Sequence, residues 1–296
     1  MATGDLVHAS AAGQPRRWRL AALKRAPLLP LSIIAVLVFT ALFAEFLTPY
    51  SPVSISLPER LRPPFWQPGG SLAHPLGTDP LGRDLLARMI YGGRISLLVG
   101  LLGLLVGGGV GAALGLIAGY AGGRVDAFLM RVTDTALSFP IILFAILLVV
   151  ILGGSIFTVV IAVALVLWAR FARVIRGETL SLRERDFVAL ARLAGSSPWR
   201  IIAVHLFPNV FNTLMVLLSL QVGWVIIVEA SLSFLGAGVP PPTPTWGSMI
   251  AEGRDYIASA WWVSFFPGLA ILVAVLAFNL LGDWLRDALD PTLRQL

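Results

Sequence analysis

Along the 296-residue chain, apolar residues gather into six long runs separated by charged or proline-rich stretches. The runs are Leu28–Leu47, Ile95–Tyr120, Ala136–Leu152, Ile156–Ala169, Val210–Phe234 and Trp261–Leu281. A helix needs about 20 apolar residues to cross about 30 Å of hydrocarbon, so each run predicts a membrane-spanning helix. The third and fourth are short as bare runs and extend into flanking residues around Arg131 and Arg173. Only "LGGS" (152–155) separates them, which predicts a tight helical hairpin. The expected fold class is an all-α polytopic membrane protein with six transmembrane helices.

Composition agrees: 57% of residues are hydrophobic and 13% charged, against about 25% charged in soluble domains. The basic stretch Arg16, Arg17, Arg19, Lys24, Arg25 before the first run resembles the start of a signal peptide. The run that follows is longer than a signal core of about 7–15 residues and lacks a small-x-small cleavage site, so an uncleaved anchor is expected.

Charge sets the orientation. With the N-terminus inside, the cytoplasmic segments hold 16 of the 22 Lys and Arg residues and the outer segments six. This positive-inside bias predicts both termini in the cytoplasm. It also accounts for the net charge of +6 without nucleic acid. The expected organisation is a cytoplasmic tail (1–27), a first anchor (28–48), an extracytoplasmic segment (49–94), a five-helix core (95–283) and a second tail (284–296).

Chemistry is sparse. There are no cysteines, and the three histidines (His8, His74, His205) are scattered, so no metal site is expected. Lys24, the single lysine, follows no glycine loop, so no Walker A site is present. An ion-coupled secondary transporter is the alternative from another class. For a relay it would have only Glu45, Glu229, Asn212, Gln221 and Asn279. A membrane-embedded enzyme would need a clustered nucleophile and base, which the sequence does not offer.

Three further patterns carry expectations. Gly103, Gly107, Gly111, Gly115 and Gly119 recur every four residues and so share one helical face suited to close helix packing. In the first outer segment, Asp79 before Pro80 predicts a helix start. A short amphipathic helix follows, lying at the membrane surface or docked against the bundle, with Arg83, Asp84 and Arg88 on its polar side. In the second, Pro240–Pro242 and Pro244 stiffen the segment and Trp246, Tyr256, Trp261 and Trp262 suit an interfacial belt, so it reads either as a rigid lid or as a belt anchor. Glu229, with Ser233 and Phe234 just beyond it, is expected to face the bundle interior near the outer end of the fifth span, as a buried carboxyl or a gate.

The segment Arg170–Pro208 holds ten charged residues. Each would cost about 3 kcal/mol at mid-bilayer, so the segment is expected in the cytoplasm. "FVALARL" predicts a helix with Phe187, Leu190, Ala191 and Ala194 on one face; Gly195 ends it, Ser197 caps a second and Pro198 opens it. Here the chain resembles ABC importer permeases. Their cytoplasmic signature reads E-A-A, three residues, G, nine residues, I-x-L-P. Ala189, Leu190 and Ala191 stand at its first positions, Gly195 at its glycine and Pro208 at its end. Ala189 replaces the family's Glu. "HPLGTDPLGRD" (74–84), "GGRVDAFLMRVTDTALSFP" (122–140), "EASLSFLGAGVPPPTPTWG" (229–247) and "LGDWLRDALDP" (281–291) are similar to the C-type permease subunit of dipeptide, oligopeptide and nickel importers.

That resemblance implies a type I importer permease working with a second related permease, two ABC ATPase subunits and an extracytoplasmic substrate-binding protein in the lipid bilayer. ATP and Mg would sit on the ATPase subunits, with no cofactor in this chain. The loop 177–208 would be the coupling element, carried by Ala189, Leu190, Ala191, Arg192, Gly195, Ser196, Pro198 and Pro208. Peptide is the expected substrate, with nickel complexes, glutathione or opines as alternatives.

Overall fold

The computed structural model describes residues 27–289. The expectations for the N-terminal tail up to residue 26 and for residues 290–296 lie outside the described residues. All regular structure among the described residues is helical. In chain order the helices are α1 (Leu28–Leu42), α2 (Ala44–Leu47), α3 (Leu85–Ala121), α4 (Gly123–Ser138), α5 (Ile141–Leu152), α6 (Ile156–Arg183), α7 (Asp186–Leu193), α8 (Phe207–Phe234), α9 (Trp246–Gly253) and α10 (Trp262–Leu289).

Four helices are long and apolar enough to cross a membrane, centred on α3, α6, α8 and α10. A fifth span exists if the bent pair α4–α5 counts as one, and α1 is a shorter apolar helix of 15 residues. Several boundaries differ from those the apolar runs predict. The first run breaks at Phe43, which leaves the helical region (φ −103°, ψ 23°). The third bends by more than 40° where Phe139 turns extended before Pro140, as the residue before a proline is driven to do. The fourth continues unbroken to Arg183, so the stretch 170–183 is helix rather than loop. Hydropathy marks where the apolar face stops, while backbone hydrogen bonding carries the helix on.

The glycine series organises the bundle. All five glycines are buried and turned toward α6. A Cβ built on Gly103 would lie 2.5 Å from Val163 Cγ1; on Gly107, 2.9 Å from Leu167 Cβ; on Gly111, 2.6 Å from Phe171 Cβ. On Gly115 it would lie 3.0 Å from Ile175 Cβ, and on Gly119 2.6 Å from Thr179 Cβ. The residues met are themselves four apart and rise in the same direction, so α3 and α6 run parallel and in register along the whole series. In lipid no hydrophobic force draws helices together, and close packing through small residues must hold them. Arg183 fastens the C-terminal end of α3: its Nη1 donates to the carbonyls of Gly119 (3.3 Å) and Tyr120 (3.4 Å), among the last acceptors of that helix.

Substitution should separate contact from composition. Gly107→Val places side-chain atoms into the Ala164 carbonyl and Leu167, and overpacking of this kind costs about 1–3 kcal/mol. Gly109, on the same helix, has nothing within 4 Å of a built Cβ. The purified protein in detergent should melt several degrees lower with Gly107→Val and be unchanged with Gly109→Ala. Equal melting temperatures would show that the packed face is unimportant.

Candidate functional site

The charged segment expected to carry function folds as a helix, a turn and a second helix. Helix α7 ends in a Schellman turn: Ser196 N–H donates to Ala191 O (3.0 Å) and Gly195 N–H to Arg192 O (3.0 Å). Gly195 sits at φ +76° with nothing within 4 Å of a built Cβ, so this glycine is required by backbone conformation and not by close approach. Ser197 caps the next helix by accepting from Arg200 N–H, and Pro198 occupies its first turn. That helix does not stop at Pro208. It runs through a π-helical segment, Ile201–Leu206, directly into α8. Pro208 has no N–H to give and its ring crowds the preceding turn, and the wider π turn accommodates both. Just beyond Pro208, Asn209 Nδ2 donates back to the carbonyl of His205 at 2.6 Å.

The inward face of α7 is Val188 and Ala191, both buried, where the sequence pattern had favoured Phe187, Leu190, Ala191 and Ala194. Val188 and Ala191 pack into the main core cluster, which also takes in Ile201 and Leu206 and has Tyr120 and Leu182 packed against it. Arg192 lies with its guanidinium carbon 5.3 Å from the Tyr120 ring centroid, joining α7 to the inner end of α3. Ala189, Leu190, Leu193, Gly195, Pro198 and Pro208 are exposed and Ser196 is half-buried. The loop thus turns an apolar surface outward: Leu190 is 64%, Leu193 84% and Trp199 69% exposed.

At the other end of α8, Glu229 is fully buried and accepts a hydrogen bond from Ser233 Oγ at 2.7 Å. Ser96 of α3 also faces this carboxyl, and its hydroxyl accepts from Trp246 N–H (3.4 Å) at the start of α9. Oε2 of Glu229 has no hydrogen-bond partner among the described residues. Phe234 is on the exposed side of the helix and does not join Glu229 and Ser233. Glu229 therefore lies where the fifth span, the glycine helix and the second outer segment meet. Sequence reasoning placed Glu229 inside but missed Ser96, whose apolar surroundings give no signal of a polar partner.

The outer segments differ most from expectation. Asp84, not Asp79, caps the helix, by accepting from Ala87 N–H at 2.7 Å, and the expected amphipathic helix is the first three turns of α3, packed against the neighbouring helices. Arg83, Asp84 and Arg88 are buried rather than solvated. Asp79 Oδ2 receives Arg83 Nε (2.5 Å) and Arg88 Nη1 (2.6 Å), and both arginines also reach Glu252 of α9, at 2.7 and 2.9 Å. Burial, the largest influence, raises the Glu252 carboxyl above its usual range, against the pull of Arg83. His74 bridges Asp84 (2.9 Å) and Glu59 (3.1 Å). Trp246 and Trp262 are buried pegs, donating to Met89 O (3.0 Å) and Thr78 O (3.1 Å), and not interfacial anchors. Charges that look amphipathic along one helix are here neutralised by nearby Asp79 together with Glu252, more than 160 residues away.

Comparison with known proteins follows this geometry. Residues 111–295 match the family model of the binding-protein-dependent transport system inner membrane component. The dipeptide transport system permease protein DppC of Escherichia coli (strain K12) is 49% identical over 262 residues, covering 88% of this chain and 87% of that protein. The chain belongs to this permease family. The permease is likewise 44% identical over 277 residues to the di/tripeptide transport system permease protein DppC of Pseudomonas aeruginosa, covering 94% and 91%. It is 41% identical over 261 residues to the glutathione transport system permease protein GsiD of Pectobacterium atrosepticum, covering 88% and 85%. It is thus a multi-pass membrane permease of an ABC importer, and the charged loop and the outer clamp are parts of a transport protein.

Removing one member of the outer clamp should be severe. Asp79→Asn leaves two buried arginines short of a carboxylate, a loss of about 3–5 kcal/mol for a broken buried pair. Purified Asp79→Asn protein should melt well below wild type, while Asp255→Asn, a mutation at an exposed ion pair, should not. Indistinguishable melting would mean that the clamp does not bear on the fold.

Proposed function

We propose that this permease forms half of the pathway by which an ATP-driven importer brings di- and oligopeptides across the cytoplasmic membrane. A second related permease completes the pathway, two ATPase subunits bind the cytoplasmic face, and a binding protein delivers substrate outside. ATP and Mg belong to the ATPase subunits, and this chain carries neither hydrolysis nor a cofactor. Both termini and the α7 loop lie in the cytoplasm. The peptide substrate rests on the names of the relatives, two of which are dipeptide or di/tripeptide permeases. The glutathione relative is itself a peptide-like case.

The coupling role rests on one observation. The loop is rigidly built on its inner side by Val188, Ala191 and the Arg192–Tyr120 contact, yet its outer side presents Leu190, Leu193 and Trp199. Helix α6, at about 1.5 Å per residue, is about 42 Å long and outruns about 30 Å of hydrocarbon. Its inner end therefore stands clear of lipid, where exposed apolar groups mark a protein contact. Ala189 is exposed on this surface, at the position where the family has Glu, so contact here is apolar rather than ionic. Glu229 and Ser233 are assigned to the outer gate, because they share Ser96 with the segment that closes over them.

Gly195 tests the coupling role. A β-branched residue at φ +76° is strained by about 1–2 kcal/mol, while Asn adopts that conformation readily. In reconstituted importer, Gly195→Val should lower substrate transported per ATP hydrolysed while the complex assembles in normal yield, and Gly195→Asn should stay near wild type. Normal transport by Gly195→Val would remove the loop from the coupling path.

A further inference from the structure

We propose that Arg170, Trp224 and Gln221 form a carboxylate-binding subsite inside the membrane, taking the C-terminal carboxylate of the transported peptide. The assignment of the ligand rests on the peptide reading above; the site itself rests on geometry.

Arg170 lies about 21 Å along α6 from Ile156, within the thickness of the hydrocarbon layer. Side chains on a helix lean toward its N-terminus, so Arg170 points from that position further into the membrane rather than out to the nearer surface. Its guanidinium carbon lies 4.5 Å from the centroid of Trp224 on α8, a residue about 15 Å from the outer end of that helix. A cation at this depth ordinarily has a carboxylate partner or a functional reason. Among the described residues Arg170 makes no ion pair and no side-chain hydrogen bond. The neighbouring Arg173 is already engaged with Asp134 at 2.5 Å.

The surroundings complete the chemistry. Arg170 lines a cavity of about 390 Å³ together with Gln221, Arg173, Phe171, Val174 and Leu217. Gln221 Oε1 is enclosed by protein with no hydrogen-bond partner among the described residues, so the remainder of that side chain is what the cavity meets. The cavity therefore offers a guanidinium held on a ring, a neighbouring amide side chain and an apolar wall. A peptide terminus presents a matching set: a carboxylate for the guanidinium fork and a side chain for the wall.

The test uses the complete importer in phosphatidylcholine vesicles with Ala-Ala as probe. Arg170→Gln should reduce Ala-Ala delivered per ATP hydrolysed about tenfold, as expected for loss of a charged hydrogen-bond partner, and Arg170→Lys should recover part of it. A second reading does not depend on transport. The chain lacks cysteine, so Leu217→Cys reports on the cavity alone when labelling of this chain is followed. It should react several-fold faster with an anionic than with a cationic thiosulfonate of similar size. Ala-Ala should slow that reaction while its C-terminal amide does not, and Arg170→Gln should abolish the protection and weaken the charge preference, to which Arg173 also contributes. Equal rates for the two reagents, or wild-type delivery by Arg170→Gln, would overturn the subsite. Protection by Ala-Ala and its amide alike would overturn the carboxylate assignment. A wild-type complex that takes up no Ala-Ala would instead refute the peptide reading, and needs no variant to be recognised.

Discussion

The structure depends on the parallel contact between α3 and α6, where five glycines let one backbone lie against the other through five helical turns. Short turns join antiparallel helices, so a parallel pair requires the chain to cross back between them, and α4 and α5 make that return. With both helices locked in register, the pair is a rigid body longer than the membrane is thick. Its N-terminal end carries Asp84, Arg88 and Ser96, and its C-terminal end carries Tyr120 and the Arg183 cap. The polar clusters at both ends are thus fixed to one rod.

At the inner end, α7 leans on that rod through Arg192 and Tyr120 and on the core through Val188 and Ala191. Its exposed Leu190 and Leu193 are thus tied by packing to α3 and α6. The same segment continues into α8 through the π turn Ile201–Leu206. Toward the other end of α8 lies Glu229, which touches Ser233 and faces Ser96 beneath the start of α9. Asp79, Arg83, Arg88 and Glu252 bind α9 to the start of α3.

Much of this was legible from the sequence because single-helix physics governs it. The glycine period, the Gly195 turn and the buried position of Glu229 each follow from one helix and its own spacing. Gly195 shows the limit even there: its place at the helix end was readable, but whether a positive φ or a close neighbour required it was not. What the sequence concealed were relations between distant segments. Arg83 and Arg88 read as a solvated face because their partner Glu252 lies more than 160 residues away. The stretch from Arg170 to Arg183 read as loop because hydropathy fell at Ala169, although the helix continues to Arg183. Trp246 and Trp262 read as interfacial for the same reason: the carbonyls of Met89 and Thr78 that they meet are invisible in local pattern.

The central claim is that the α7 loop stands in the cytoplasm and seats an ATPase subunit. Leu193, 84% exposed in a chain without cysteine, is the position that tests it. A single Leu193→Cys should be labelled by an impermeant maleimide in inside-out vesicles and not in intact cells. Labelling in those vesicles should fall sharply when the ATPase subunits are present. Labelling from the outer side, or labelling that the ATPase subunits leave unchanged, would contradict the account.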